Sequence, residues 1–242
     1  MSHTLFISDL HLAPQRPAIA EQFFRFLEND AARADALYIL GDLFEYWIGD
    51  DDTDDAFNAQ VIAGLRQFAD SGTPLLLMHG NRDFLMGEAF ATACGAALIT
   101  DPTLTDFYGT RTLLMHGDTL CTDDIEYQKF RSSVRNPAAQ SQFLAQPLDA
   151  RRQQALRLRA GSEAAKQQKR EAIMDVNADA VAAALRVHDY PRLIHGHTHR
   201  PARHVHVVDG HECERWVLAD WYQRGSYLRC DASGCTAVDL DG

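Results

Sequence analysis

The chain reads as an α/β protein with a parallel sheet in its first third, a second and largely antiparallel sheet, and a helical insertion at about residues 122–188 of one 242-residue domain. Three observations predict this. Short apolar runs alternate with amphipathic helical stretches up to residue 79. Strand-like segments separated by turn signals follow residue 95 and return over the last 50 residues. Residues 122–188 carry almost no strand signal.

Residues 4–8 are the first predicted strand. A helix is expected from Ile19 to Ala34, with Phe23, Phe24, Phe26 and Leu27 on one face. Residues 36–40 are the next strand, and Phe57 to Ser71 the next helix, striped by Val61, Ile62, Leu65 and Phe68 and ended by Gly72. Residues 74–79 form the third strand. Short strands alternating with helices predict parallel pairing with both sheet faces covered. Further strands are expected at 97–99, 104–108 and 111–116, with turns at Asp101-Pro102 and Tyr108-Gly109. The C-terminal strands are 192–195, 203–208, 214–219, 226–230 and 235–239, all assigned to the second sheet. Within the insertion, helices are expected over Asp124–Arg135, Ala150–Arg159 and Ser162–Leu185. Its apolar positions, among them Phe130, Val134, Phe143, Leu144, Leu148, Leu156 and Leu158, suit either a cover for the sheet or the wall of an apolar groove.

No apolar stretch approaches the roughly 20 residues that span a bilayer, and the N-terminus lacks the pattern of a secretory signal. Five cysteines at 94, 121, 213, 230 and 235, an odd number without a CxxC pair, suggest reduced thiols in the cytosol rather than a disulfide framework. The net charge of -11 argues against a nucleic-acid partner. The charge is uneven: residues 125–175 hold ten Lys/Arg against five Asp/Glu. Charge alone favours a solvated basic helix there. An acidic body with a basic insert also suits a metal-rich site that receives an anionic ligand.

Seven candidate ligands fall in five short motifs, each ending a hydrophobic run: Asp9 and His11, Asp42, Asn81, His116, and His197 and His199. Alternate residues of an extended segment point the same way, so Asp9 and His11 can reach one ion. Asp42 follows a glycine and has two oxygens, so it can bridge two ions. Asn81 adds a neutral oxygen. Mixed Asp, His and Asn donors without cysteine suit borderline-to-hard divalent cations. The run from Asp50 to Asp55 lacks calcium-loop spacing and reads as a solvated loop capping the 57–71 helix. His204 and His206 read as surface or packing residues.

Ser8-Asp9-Leu10-His11, Gly41-Asp42, Gly80-Asn81-Arg82-Asp83, His116-Gly117-Asp118 and Gly196-His197-Thr198-His199 together resemble the motif series of the calcineurin-like metallophosphoesterases. The resemblance implies a four-layer α/β/β/α sandwich with a two-metal centre at strand ends. It implies that Asp9, His11, Asp42 and His199 hold one ion, and Asp42, Asn81, His116 and His197 the other. Many members of that superfamily carry a histidine after the motif asparagine; here the residue is Arg82. Arginine does not donate a proton near neutral pH, but its fork matches phosphate oxygens. A leaving group of low pKa needs no acid, which favours a pyrophosphate over an alkyl phosphomonoester.

Longer blocks resemble one subgroup: Gly41 to Asp51, His79 to Leu85, His116 to Asp124, Ala172 to Asn177 and His195 to Pro201. These look like the bacterial UDP-2,3-diacylglucosamine pyrophosphatases of lipid A synthesis. The resemblance implies Mn²⁺ activation, two ions per chain, and attack of water on the α-phosphorus to give UMP and 2,3-diacylglucosamine 1-phosphate. It implies catalytic roles for Asp42, Asn81, Arg82 and His197. It implies substrate contacts at Asn81, Arg82, Asp124, Ser162, Lys169 and His197, and at Lys166, where related sequences carry asparagine. Without the resemblance, Ser162 reads as a helix N-cap and Lys169 as a solvated helix residue. A diacylated substrate further implies a cytoplasmic enzyme peripherally associated with the cytoplasmic face of the inner membrane. No protein partner is expected. Two rivals stand beside this reading: a generic metal-dependent nucleotide phosphatase or phosphodiesterase, which would show no preference for an acylated UDP-sugar, and a non-catalytic metal-binding module on the same fold, which would release no phosphate with any divalent ion.

Overall fold

The computed structural model of the chain describes residues 2–52, 55–168 (backbone only over 162–168) and 175–240. Strand β1 (Thr4–Ile7) leads through α1 (Pro17–Glu28) to β2 (Ala36–Leu40), then through α2 (Ala56–Asp70) to β3 (Leu75–Met78), and through α3 (Glu88–Cys94) to β4 (Ala97–Ile99). These four strands pair in parallel in chain order. Pro17 opens α1 at a position where no N–H is needed. The helix expected to reach Ala34 stops at Glu28, because the Asn29 side-chain amide donates to Arg25 O at 2.7 Å and competes with the helical pattern. A single 3₁₀ turn, Ala31–Arg33, follows. Helix α3 was not expected from the sequence.

Strands β5 (Thr103–Phe107), β6 (Thr110–Met115), β7 (Arg192–His195), β8 (Ala202–Val208) and β9 (His211–Val217) form the second sheet, in the order β5-β6-β7-β9-β8. This sheet is mixed rather than largely antiparallel. β6 and β7 pair in parallel, as do β7 and β9. The long helical connection between β6 and β7 supplies the crossover that a parallel pair requires. The last two strands, β10 (Ser226–Asp231) and β11 (Gly234–Asp239), also depart from expectation. They join the first sheet, where β10 lies antiparallel to β1 and covers an edge that would otherwise stay open.

Alternation along the strands sets the layers. Leu5, Ile7, Leu37, Ile39, Leu75 and Leu77 pack against Phe23 and Phe26 of α1, Val61 and Leu65 of α2, and Phe90 of α3. The opposite faces meet between the sheets, where Phe6, Leu40 and Met78 face Phe107, Leu114 and Ile194. The far side of the second sheet is covered by α7 (Ala178–Val187), through Val181 and Leu185 on Leu113, Met115 and Leu193. The result is the α/β/β/α layering expected.

Between β6 and α7 lie α4 (Ile125–Val134), α5 (Pro137–Leu144) and α6 (Leu148–Gln168). The break expected near residue 160 is absent. Gly161 sits in open space inside α6, where an exposed glycine costs only about 1 kcal/mol. Ser162 is therefore mid-helix and not an N-cap. The expected helix to Leu185 is instead started afresh at α7, whose cap Asn177 accepts from Asp179 N and Ala180 N.

Two further expectations are corrected. Cys230 and Cys235 form a disulfide across β10–β11, where the strand register sets them opposite each other; Cys94, Cys121 and Cys213 are buried thiols. The odd cysteine count hid this one local pair. The acidic run after Gly49 is not simply solvated. Asp55 does cap α2, accepting from Phe57 N and Asn58 N. But Asp50 takes Trp47 Nε1, Gly87 N and Phe90 N, while Asp51 and Asp52 are bound by Arg151 and Arg152. Residues 53 and 54 of that run lie outside the described residues.

Candidate metal centre

Every ligand expected from the sequence sits just past the C-terminal end of a strand: Asp9 and His11 after β1, Asp42 after β2, Asn81 after β3, His116 after β6, His197 and His199 after β7. Because β1–β3 run in parallel and β6 pairs in parallel with β7, these ends gather at one edge of the sandwich. The turns are tied together by backbone bonds. Asp9 N donates to Gly41 O at 3.1 Å, His11 N to Asp42 O at 3.0 Å, and Gly196 N to His116 O at 2.9 Å.

Five of the ligands, Asp9, His11, Asp42, His197 and His199, have positive φ between 48° and 67°. Side chains rarely adopt that region, and such strain concentrates where function over-determines the backbone. The glycines let the turns close. A Cβ on Gly80 would stand 2.1 Å from Asp42 Oδ1, and one on Gly196 would stand 2.2 Å from Ser8 Oγ.

The side chains form two clusters. In the first, His199 Nε2 lies 3.2 Å from Asp9 Oδ1 and 3.4 Å from His11 Nε2. In the second, Asn81 Oδ1 lies 3.1 Å from His116 Nε2 and 2.9 Å from His197 Nδ1. Asp42 stands between them. Its Oδ2 is 3.8 Å from His11 Nε2 and its Oδ1 is 3.9 Å from His116 Nε2, one oxygen toward each cluster. Among the described residues, two groups of His and Asp have ligand atoms mutually close enough for one ion: Asp9, His11 and His199, and Asp9, Asp42 and His116.

The donor set fits divalent cations. Asp9, His11, Asp42 and His116 are at most 1 % exposed. Burying several carboxylates together is costly unless positive charge compensates. Burial, with the neighbouring Asp83 and Asp9, pushes the Asp42 carboxyl up to about 7. Asp9 stays well below the usual carboxylate range: burial opposes its charge, but the His199 hydrogen bond and the nearby His199, His116 and His11 outweigh it. For His116, burial disfavours the cation, yet Asp42, Asp118 and Asp9 raise it to about 9. Burial takes His197 down to about 3. Two imidazole nitrogens 3.4 Å apart beside a carboxylate are arranged as donors to a common cation.

A second layer orients this set. The His116 Nδ1–H donates to Leu40 O at 2.9 Å, which leaves Nε2 directed inward. Asp83, fully buried, accepts Gly80 N at 2.8 Å and Leu43 N at 2.7 Å, binding the Asn81 turn to the Asp42 turn. Asp83 stood in a motif of the sequence without an expected role. Sequence reasoning also missed Tyr222, whose ring stacks on His11 at 5.1 Å with the Arg16 guanidinium 4.6 Å from it, and Glu45, 3.9 Å from His11 Nδ1. Tyr222 follows β9, far from any motif, so no local signal could have found it.

The centre opens into a cleft of about 980 Å³ beneath α4–α6. Asp42, Asn81, Arg82 and His197 line its floor; Trp47, Phe84, Phe130, Phe143 and Leu158 line its walls. Arg82 N donates to Asp42 Oδ1 at 2.8 Å. Asp124 also lines the cleft while capping α4 through Tyr127 N at 3.1 Å. Of the other expected substrate contacts, Ser162 and Lys166 lie on the described backbone of α6, and Lys169 lies outside the described residues.

The chain is 58% identical over 230 residues to a UDP-2,3-diacylglucosamine hydrolase of Aromatoleum aromaticum, covering 95% of this chain and 94% of that protein. It is 52% identical over 244 residues to the enzyme of the same name from Xanthomonas axonopodis, covering 98% of each, and 50% identical over 229 residues to that of Escherichia coli, covering 95% of each. Among solved structures, an archaeal phosphodiesterase aligns over 98% of this chain and 99% of its own with a TM-score of 0.46 at 11% identity. The family model described as calcineurin-like phosphoesterase matches residues 2–201, and the chain belongs to that family.

Proposed function

We infer that this chain is an enzyme that hydrolyses UDP-2,3-diacylglucosamine in lipid A biosynthesis. The observation that carries the reading is the near full-length identity of 50–58% to proteins of that name, over 95% of this chain. The cleft suits such a substrate: a polar, metal-fitted floor for the pyrophosphate and apolar walls for acyl chains.

We assign Asp9, His11, Asp42 and His199 to one cation and Asp42, Asn81, His116 and His197 to a second, with Mn²⁺ as the expected ion. Divalent cations held there would supply an acidified water and neutralise charge on the phosphates. The chain's own groups do the rest. Asp42 sets the spacing of the two clusters, and its position is fixed by Asp83 and the Arg82 amide. The Arg82 fork would bind phosphate oxygens as charge builds, and His197 would add to that stabilisation. Arg82 has no proton to give, so the departing group leaves as a phosphate monoester without acid help. This favours a pyrophosphate over an alkyl phosphomonoester as substrate; by the family resemblance we place the attack at the α-phosphorus, with UMP as one product. Asn81, Arg82, Asp124 and His197, together with Ser162, Lys166 and Lys169, are the contacts we assign to the substrate.

No described helix is long and apolar enough to cross a membrane. Ile125 is 62 % exposed, Leu144 40 % and Leu156 51 %, all on the helices around the cleft mouth. They and the basic residues of the same stretch support peripheral docking on an anionic bilayer, where the diacylated substrate resides.

Incubation with UDP-2,3-diacylglucosamine and Mn²⁺ in ¹⁸O-labelled water tests the reading. It expects labelled UMP, and none when the metal is chelated. Label in the lipid phosphate would contradict attack at the α-phosphorus. Equal turnover of a simple aryl phosphodiester would favour a generic phosphodiesterase.

A further inference from the structure

Beneath the turn that carries His197 and His199 lies a polar cluster outside the ligand set. His195 is fully buried, and Arg215, on β9, is 6 % exposed. Arg215 donates from Nη1 to His195 Nε2 at 3.1 Å and from Nε to His206 Nε2 at 3.0 Å. A guanidinium offers only donors, so both imidazole nitrogens must accept. The ring proton of His195 is therefore on Nδ1, which donates to the Gly196 carbonyl at 2.9 Å. The same carbonyl accepts Thr198 N–H at 2.8 Å and closes the turn. The ring also supports the turn after β6, because a Cβ on Gly117 would come within 2.7 Å of His195 Nδ1. One imidazole thus touches the segments that present both His116 and His197.

The opposite tautomer would set an unprotonated Nδ1 against the Gly196 carbonyl, two acceptors face to face, with Nε2–H pointed at a guanidinium. The turn would have to move. His197 N–H donates to Asp9 Oδ2 at 2.9 Å, so a shift there reaches the first cluster as well as the second.

We propose that Arg215 is a positioning residue of the metal centre: it fixes His195 in its Nδ1–H tautomer and so locks the turn that presents His197 and His199. The inference rests on the metal-centre reading above. A group hydrogen-bonded directly to a ligand is typically worth about 10- to 100-fold in metal affinity; Arg215 acts through His195 and the Gly196 carbonyl, so the lower end of that range is expected.

The test compares Arg215→Met with Arg192→Met in the full-length protein. Arg192 is a second buried arginine of the same sheet, but it donates to Thr112 Oγ1, at 2.8 Å, and not to the turn. Calorimetric titration with Mn²⁺ should show binding weakened about 10-fold in Arg215→Met and unchanged in Arg192→Met. Arg215→Lys, which restores one donor, should recover part of the loss. Two-bond ¹H–¹⁵N spectra of the wild-type ring should show His195 protonated at Nδ1, and a mixture of tautomers in Arg215→Met. Wild-type affinity in Arg215→Met, equal losses in both Met variants, or an Nε2–H tautomer in the wild type would each overturn the proposal. A wild-type protein that takes up no Mn²⁺ would instead sink the metal-centre reading, and this inference with it.

Discussion

The sandwich and the helices that roof its cleft are held by different forces. Inside the sandwich, contacts are mainly apolar. Phe6 is 0 % exposed, stacked on Tyr38 at 5.2 Å and edge-on to Phe107 at 5.0 Å. Above the cleft, α4 and α5 have no buried residue at all. That region grips the body through guanidinium groups. Arg131 Nε donates to Asp118 at 2.7 Å, Arg135 to Gly80 O at 2.7 Å, and Arg151 to Ile48 O at 2.7 Å; Arg152 pairs with Asp52, and Arg159 lies 3.2 Å from Glu45. The difference suits the proposed function. Apolar side chains left unburied by the roof, such as Phe130 at 43 % exposure, would be available to the acyl chains of that substrate. The ligand turns, set on a close-packed body, keep their geometry. The arginine contacts also land on the turns that carry the candidate ligands: Asp118 follows His116 by two residues, and Gly80 precedes Asn81.

The largest expected effect falls on the sandwich side. Asp42→Ala should cut turnover by about 10²–10³-fold or more while leaving the thermal midpoint near wild type, since it removes the group common to both clusters. Wild-type turnover with metal present would deny Asp42 a bridging role. Next, Phe6→Ala should cost about 3–5 kcal/mol of global stability in denaturant titration, the usual price of an aromatic cavity in a packed core. Arg151→Ala should act locally. It should cost about 1–3 kcal/mol, read as faster amide exchange over the first turns of α6 and a raised KM, with little change in the global transition. If Arg151→Ala lowers the global midpoint as far as Phe6→Ala, the two regions are one cooperative unit and the contrast fails. The smallest effect belongs to Cys230→Ser, which opens a short loop at a sheet edge: at most about 2 kcal/mol and no change in KM.

The sequence made the strands with their terminal ligands legible, because both signals are local. Residues 5–7, Ala36–Leu40 and Leu75–Met78 are near-continuous hydrophobic runs, as parallel strands covered on both faces usually are, and Asp9, Asp42 and Asn81 stand just beyond them. What depends on pairing between distant segments was hidden. Alternation shows that residues 226–231 form a strand but not which open edge receives it. The acidic residues at 51 and 52 looked solvated because their partners, Arg151 and Arg152, lie 100 residues away. Glu45 and Tyr222 reach the centre only by tertiary packing. Arg215 carried no motif signal, and His195 stood in a motif block without a role, since a hydrogen bond between neighbouring strands leaves no spacing in the chain.

Asp42 offers one oxygen to each of two clusters, and the candidate centre depends on that bridge. An anomalous-difference map from crystals soaked in Mn²⁺ is the most direct test. Two peaks about 3.5–4 Å apart, one on each side of Asp42, are expected. A single peak, or peaks away from Asp42, would contradict it.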